Sequence, residues 1–169
     1  MRGILTFTAV AALISAPAFA EAHADADQSD PGAQVVAAVD AFFAALRSDD
    51  KTALAQTMVP EGVIFVHDRR DPENTRTVAL PVSQHLENWT QSPPGTDEYM
   101  TYESVLVDGE MAHVWGPYVF LINGNPTHCG INSMSLAKTP EGWRVSNTSF
   151  SMTSLDECEP LGAPEVPEE

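Results

Sequence analysis

Four side chains able to do acid–base or hydrogen-bonding chemistry fall in the extended, strand-like half of the chain: Tyr102, His113, Asn132 and Asn147. A neutral imidazole among apolar groups can give or take a proton near neutral pH, which makes His113 a candidate catalytic residue. A tyrosine hydroxyl can donate to a developing oxyanion, which adds Tyr102. Each also has a plain structural reading. His113 could bond Ser104 or Asn147, Tyr102 could be an amphipathic core residue, and the two amides could satisfy each other as well as orient a ligand. Leu106, Trp115 and Met134 would supply apolar wall, and His128 would join them at the far end of the same strands. His67, Asp68 and His128 lack H-x-H or H-x₃-H spacing, so no metal site is expected. No G-x-S-x-G elbow points to a serine hydrolase.

These groups can meet only if the strands that carry them share a face. The sequence predicts strands over 99–107, 111–122, 127–138 and 143–151, separated by Asp108-Gly109, Asn123-Gly124 and Glu141-Gly142. Asp-Gly and Asn-Gly between alternating runs are strong hairpin signals. Successive side chains alternate across a sheet, so each turn register assigns faces. Pairing Val107 with Glu110, Ile122 with Asn125 and Lys138 with Trp143 gathers one face. It holds Tyr102, Leu106, Met111, His113, Trp115, Asn132, Met134, Leu136, Trp143, Val145 and Asn147, an apolar surface with a few converging polar groups, as a ligand pocket requires. The opposite face would carry Val105, Val114, Tyr118, Cys129, Ile131 and Phe150, and is expected to form a homodimer. Gly116-Pro117 is expected to mark a bulge or bend, since proline cannot donate to the ladder. Glu103 falls on the second face, leaving the pocket face without a carboxylate.

Ahead of these strands the period is helical. Asp30-Pro31 reads as a cap and first-turn proline. Val35, Val36, Val39, Phe42, Phe43 and Leu46 then follow on one face. Asp49-Asp50 could cap a short second helix with Leu54 and Met58, stopped by Pro60. A strand is expected over 62–67, a charged loop over 67–77, and a third helix from Ser83 through Leu86 and Trp89 to Pro93-Pro94-Gly95. The expected fold class is α+β: a strongly bent mixed or antiparallel sheet wrapped around three N-terminal helices, a cone with a pocket.

The chain starts with Arg2, an apolar run from Ile4 to Ile14, Pro17 and Ala18-Phe19-Ala20, the pattern of a cleavable secretory signal peptide over residues 1–20. Cleavage after Ala20 would place the protein in the periplasm or the medium, with no membrane insertion afterwards. Residues 21–31 read as a disordered lead-in, 32–158 as the domain and 159–169 as an acidic flexible tail. The formal charge of -16 disfavours nucleic acid as a partner. An even pair of cysteines in an oxidising compartment predicts a Cys129–Cys158 disulfide, closing a loop of about 30 residues and contributing roughly 3 kcal/mol.

Val114-Trp115-Gly116-Pro117-Tyr118, Gly124, His128-Cys129-Gly130, Gly142-Trp143 and the late Cys158 together resemble an exported, mostly uncharacterised group within the nuclear transport factor 2-like superfamily. That superfamily includes ketosteroid isomerase and scytalone dehydratase. The resemblance spans about residues 34–158. It implies the cone fold and frequent sheet-to-sheet dimers. Many relatives end the last strand on an Asp-Thr-Arg-like string. Here Phe150-Ser151-Met152 stands there, so a role resting on that arginine is absent.

Three functions remain open. The chain could bind a small apolar molecule, with no cofactor. It could be a lyase or isomerase of the dehydratase kind using His113 with Tyr102, the missing carboxylate counting against a ketosteroid isomerase mechanism. Or it could be an accessory dimer whose pocket is filled core. A void of about 300 Å³ or more would favour the first over the third.

Overall fold

A computed structural model describes residues 30–166. The expected signal peptide and nearly all of the expected lead-in lie outside the described residues, as do residues 167–169. Helix α1 (Pro31–Arg47) begins where Asp30 Oδ1 accepts from Gly32 N, with Pro31 pre-set for the first turn. It buries Val35, Val39, Phe42, Phe43 and Leu46. The expected second helix is only a 3₁₀ turn, Ala53–Gln56. The stretch between the Asp50 turn and Pro60 is too short for more, and Leu54 is its one buried residue. Helix α2 (Val82–Trp89) starts directly after Pro81, one residue before the expected Ser83 cap.

The sheet has seven strands: β1 (Val63–Asp68), β2 (Arg76–Pro81), β3 (Thr96–Met100), β4 (Ser104–Asp108), β5 (Met111–Ile122), β6 (Asn125–Thr139) and β7 (Gly142–Met152). Their order is β2-β1-β7-β6-β5-β3, with β4 also on β5. Only β1 and β7 run parallel, so the sheet is mixed. The architecture is the expected α+β cone, with two α-helices among the described residues instead of three. Edge strand β2 was not expected. It continues the charged loop after the Pro72–Asn74 turn, and its side chains are almost all exposed, which erases the alternation that betrays a half-buried strand.

One expected strand, 99–107, is two. β3 and β4 lie end to end along β5 and break at residues 101–103, which hydrogen-bond to Pro117 O and Trp115 O. A Cβ on Gly116 would sit 1.8 Å from Thr101 O, so the close approach demands glycine. Of the bulge or bend expected at Gly116-Pro117, there is no bulge: the ladder is regular there, Gly116 opposite Asn132 and Pro117 opposite Ile131.

The irregularities lie elsewhere. Ile122 pairs with Asn125 as expected, but Thr127 is an extra residue in β6, so Phe120 faces His128 and His113 faces Ser135 instead of Met134. Thr127 Oγ1 fills the bulge by bonding Phe120 O at 3.2 Å. In β7, Lys138 pairs with Trp143 and Leu136 with Val145 as expected. Ser146 is then extra, and Met134 meets Thr148 instead of Asn147. Here the 57–62 segment runs against β7: Val59 N donates to Val145 O, and Val145 N to Thr57 O. Turn register also differs at Asp108-Gly109, where Asp108 pairs with Met111 and Leu106 with His113, a shift of two that leaves the faces of β4 and β5 matched.

The main core lies on the concave side, from Val35, Val39 and Phe43 of α1 through Val114, Met134, Leu136 and Val145 of the sheet. A second cluster lies outside it. The Cys129–Cys158 disulfide ties the C-terminal segment to β6, where Leu161, Ala163 and Val166 cover Val119, Leu121 and Tyr99. Leu161, Ala163 and Val166 thus pack within the segment read from the sequence as a tail. Ala163 N donates to Cys158 O, and Leu161 N to Glu157 O.

Candidate functional site

The bulges decide which side chains reach the hollow of the cone. On β6 the inward residues are Asn132, Met134 and Leu136, as expected. The inward residues of β5 are Ala112, Val114, Gly116 and Tyr118, the opposite set from the one expected. One extra residue upstream exchanges the faces of every β5 and β4 residue relative to β6. Val105, Val114, Tyr118 and Phe150 therefore belong inside, while Cys129 and Ile131 point out.

The hollow contains a cavity of about 190 Å³. Phe42 and Leu46 of α1 and His85 and Trp89 of α2 close it on the helical side. Ile64, Tyr118, Phe120, His128, Met134, Thr148, Phe150 and Met152 form the sheet side, and Met58 comes from the connecting segment. Glu98 and Asn132 supply its polar end. A larger hollow of about 970 Å³ lies between the start of α1 and β4, lined by small residues and by Asp30 and Asp40. It is shallow and open to solvent and gathers no buried polar group.

Glu98 is the carboxylate the sequence reading lacked. It sits on β3, two residues from Thr96 and Met100 on the same inward face. It is 8% exposed. Asn132 Nδ2 donates to its Oε1 at 2.6 Å. Burial is the main force on its pKa and pushes it up to about 7; the Asn132 hydrogen bond pulls the other way, with Asp97 raising it and Arg47 lowering it by charge. Arg47 is committed outside the cavity, its Nε donating to Asp97 Oδ1 at 2.8 Å and its Nη2 to the Glu98 carbonyl at 3.1 Å.

The two cavity imidazoles are held neutral. Burial lowers His85, and burial with the positive charge of Arg70 brings His128 down to about 4, against an opposing pull from Asp68. His128 stacks on Phe120 with ring centroids 5.2 Å apart. Arg70 itself is clamped on Asp68 by two bonds of 2.9 Å. Tyr118 donates its hydroxyl to Ser151 O at 2.8 Å, and burial raises its pKa. The Trp89 indole N–H is buried without a hydrogen-bond partner among the described residues.

Of the residues singled out in the sequence, His128, Asn132 and Met134 meet in this cavity. Five others do not. His113 lies on the outer face opposite Leu106 and Ser135. Leu106 is 61% and Trp115 42% exposed on that face. Asn147 is exposed at the Ser146 bulge, where its Oδ1 accepts from Val63 N and ties β7 to β1. Tyr102, in the break between β3 and β4, packs against the core but donates its hydroxyl to Asp40 on α1. His113 and Tyr102 thus do not converge on a common point. Among the described residues no cluster of three His, Cys, Asp or Glu could hold a metal ion. His67 bonds Thr77 and Ser149 instead.

No family model matches the chain, and no curated protein matches it. Its fold does match solved structures. An NTF2-like protein of unknown function from Shewanella oneidensis MR-1 superposes with a TM-score of 0.56 at 14% identity, over 72% of this chain and 99% of that one. An NTF2-like protein of unknown function from Silicibacter pomeroyi DSS-3 gives 0.54 at 15% identity, over 71% and 93%. A ketosteroid isomerase-like protein from Erwinia carotovora atroseptica SCRI1043 gives 0.54 at 17% identity, over 73% and 97%. The chain therefore has the nuclear transport factor 2-like fold and carries a pocket within it.

Proposed function

We propose that this is an exported binding domain whose cavity takes a small, largely apolar molecule about the size of one substituted ring. The observation that carries the reading is the cavity itself, about 190 Å³ walled by aromatic and aliphatic side chains with one polar end at Glu98 and Asn132. It is smaller than the roughly 300 Å³ of a drug-sized site. A cavity of about 150 Å³ already admits benzene, so a single ring with a short substituent fits the space. Export is supported by the leader-like N-terminus and by the disulfide, a bond suited to an oxidising compartment. Native mass spectrometry of the protein from its own cell envelope tests both parts. The expected result is a chain lacking residues 1–20 that carries a small adduct released by mild activation. A cytoplasmic, unprocessed chain without adduct would contradict them.

A second reading has one observation in its favour. A carboxyl with a pKa of about 7 suits a proton shuttle, so a lyase or isomerase would use Glu98 rather than His113. Deuterium exchange at the α-carbon of acetophenone tests it: catalysed exchange lost in Glu98→Gln supports the enzyme, and no exchange above buffer excludes it for this probe. A homodimer, if it forms, would pair through Phe65, Trp115 and Ile131 on the outer face, not through the buried Val114 and Tyr118. Light scattering at tens of micromolar decides between one chain and two.

A further inference from the structure

We propose that the occupant of the cavity is a small organic cation, a protonated amine on a single ring, with its ammonium on Glu98 and its ring among the aromatic side chains. This rests on the reading of the cavity as a ligand site and narrows it to one chemical class.

Three observations converge. The first is that the Glu98 carboxyl has no ion-pair partner among the described residues. Its Oε1 accepts from Asn132, and its Oε2 makes no hydrogen bond with the described residues. The nearby cations are engaged elsewhere. Arg47 holds Asp97 and the Glu98 carbonyl, and Lys51 Nζ donates to Leu46 O and Thr96 Oγ1. The imidazoles of His85 on α2 and His128 on β6 are kept neutral by burial, Tyr118 on β5 donates its hydrogen bond to the Ser151 carbonyl, and Asp97 adds only negative charge. Buried carboxylates are ordinarily paired; this one opens on a cavity.

The second is the surrounding wall. Phe42, Trp89, Tyr118, Phe120 and Phe150 line the same space. Aromatic faces attract ammonium groups, the more so when water is excluded. The third is the direction of the Asn132 bond. Its amide N–H donates to the carboxyl and so favours the ionised form, which a cation completes and a neutral ligand does not use. The chain's net charge of -16 draws small cations and repels anions from the mouth.

The test compares benzylamine, benzyl alcohol and toluene by titration calorimetry on the full mature chain. They differ little in shape and differ in charge and hydrogen bonding. Benzylamine is expected to bind at least about tenfold more tightly than benzyl alcohol at pH 8. Its affinity should rise about tenfold from pH 6 to pH 8 as Glu98 ionises, while that of benzyl alcohol stays level. Glu98→Gln should erase the preference of benzylamine over benzyl alcohol. If that variant does not fold, the pH profile of the wild-type chain decides. Benzyl alcohol or toluene binding as tightly as benzylamine, or a level benzylamine profile, overturns this inference and leaves the apolar-ligand reading standing. A folded chain that binds none of the three overturns both.

Discussion

The two faces of one sheet differ sharply over the same ladder rungs. Inside, Val114 meets Met134 with both side chains almost fully buried. One residue along, outside, Trp115 meets Ser133 and is 42% exposed. The inner face continues through Leu136, Val145 and Thr148 to the cavity, whereas the outer face runs through Ser133, Ser135, Ser149 and Ser151 and is closed at one end by the disulfide-tied segment. Which residues own which face was set by two inserted residues, Thr127 and Ser146, and not by the turns. The cavity's lining followed: His113 went out, Tyr118 came in, and the buried carboxylate came from a neighbouring strand.

The largest effect expected from a single change is at the seam of the inner face. Gly116→Ala puts a methyl 1.8 Å from Thr101 O, a backbone atom that cannot swing away. The loss should exceed about 4 kcal/mol, or the chain should not fold; urea unfolding reads it, and a near-neutral result would mean that β3 and β4 do not close over β5 there. Next comes the contrast between rungs. Met134→Ala should cost about 2–5 kcal/mol, while Ser133→Ala on the other side should stay within about 0.5 kcal/mol. Equal costs would break the assignment of faces.

A smaller effect comes from pH. Burial raises Glu98 to about 7, so the folded chain holds its proton longer than the unfolded chain. That contribution is fully present below the unfolded carboxyl pKa and is lost as pH rises through 7. His128, lowered to about 4, has the opposite sign: its contribution is present above the unfolded imidazole value and is lost as pH falls toward 4. The two offset each other between roughly pH 4.5 and 6.5. Above that window the Glu98 contribution falls by about 0.8 kcal/mol between pH 6.5 and 8, while His128 still gains about 0.4 kcal/mol as the unfolded imidazole finishes deprotonating, so wild-type stability should decline by no more than about 0.4 kcal/mol. In Glu98→Gln the decline should turn into a rise over the same interval in urea titrations. A wild-type limb that rises as the variant's does would place the carboxyl in water.

Much of the fold was legible because its signals are chemical and local. Asp30-Pro31 started α1, and Asn123 and Gly124 took the left-handed conformations their turn requires. Cys129 and Cys158 paired. The inward face of β6 could be read because Asn132, Met134 and Leu136 alternate with small residues. The bulges were illegible because threonine and serine suit any strand position, so an extra one leaves the local pattern intact. Each inserted residue is held instead by tertiary contacts, Ser146 by Ser135 O and by the 57–62 segment against β7. Glu98 was hidden in Thr96-Asp97-Glu98, an acidic string after two prolines and a glycine that looks like a loop. Its one signal was the alternation of Thr96, Glu98 and Met100.

The central claim, that the inner face and not the outer one encloses a ligand cavity, is tested most directly with methyl-labelled methionine. Met58, Met134 and Met152 line the cavity, and Met111 lies on the outer face, 63% exposed. Titration with benzyl alcohol, followed by methyl NMR, should move the resonances of Met58, Met134 and Met152 together along one saturable curve and leave Met111 in place. Saturable movement of Met111 with the other three unmoved, or no movement at all, would contradict the account.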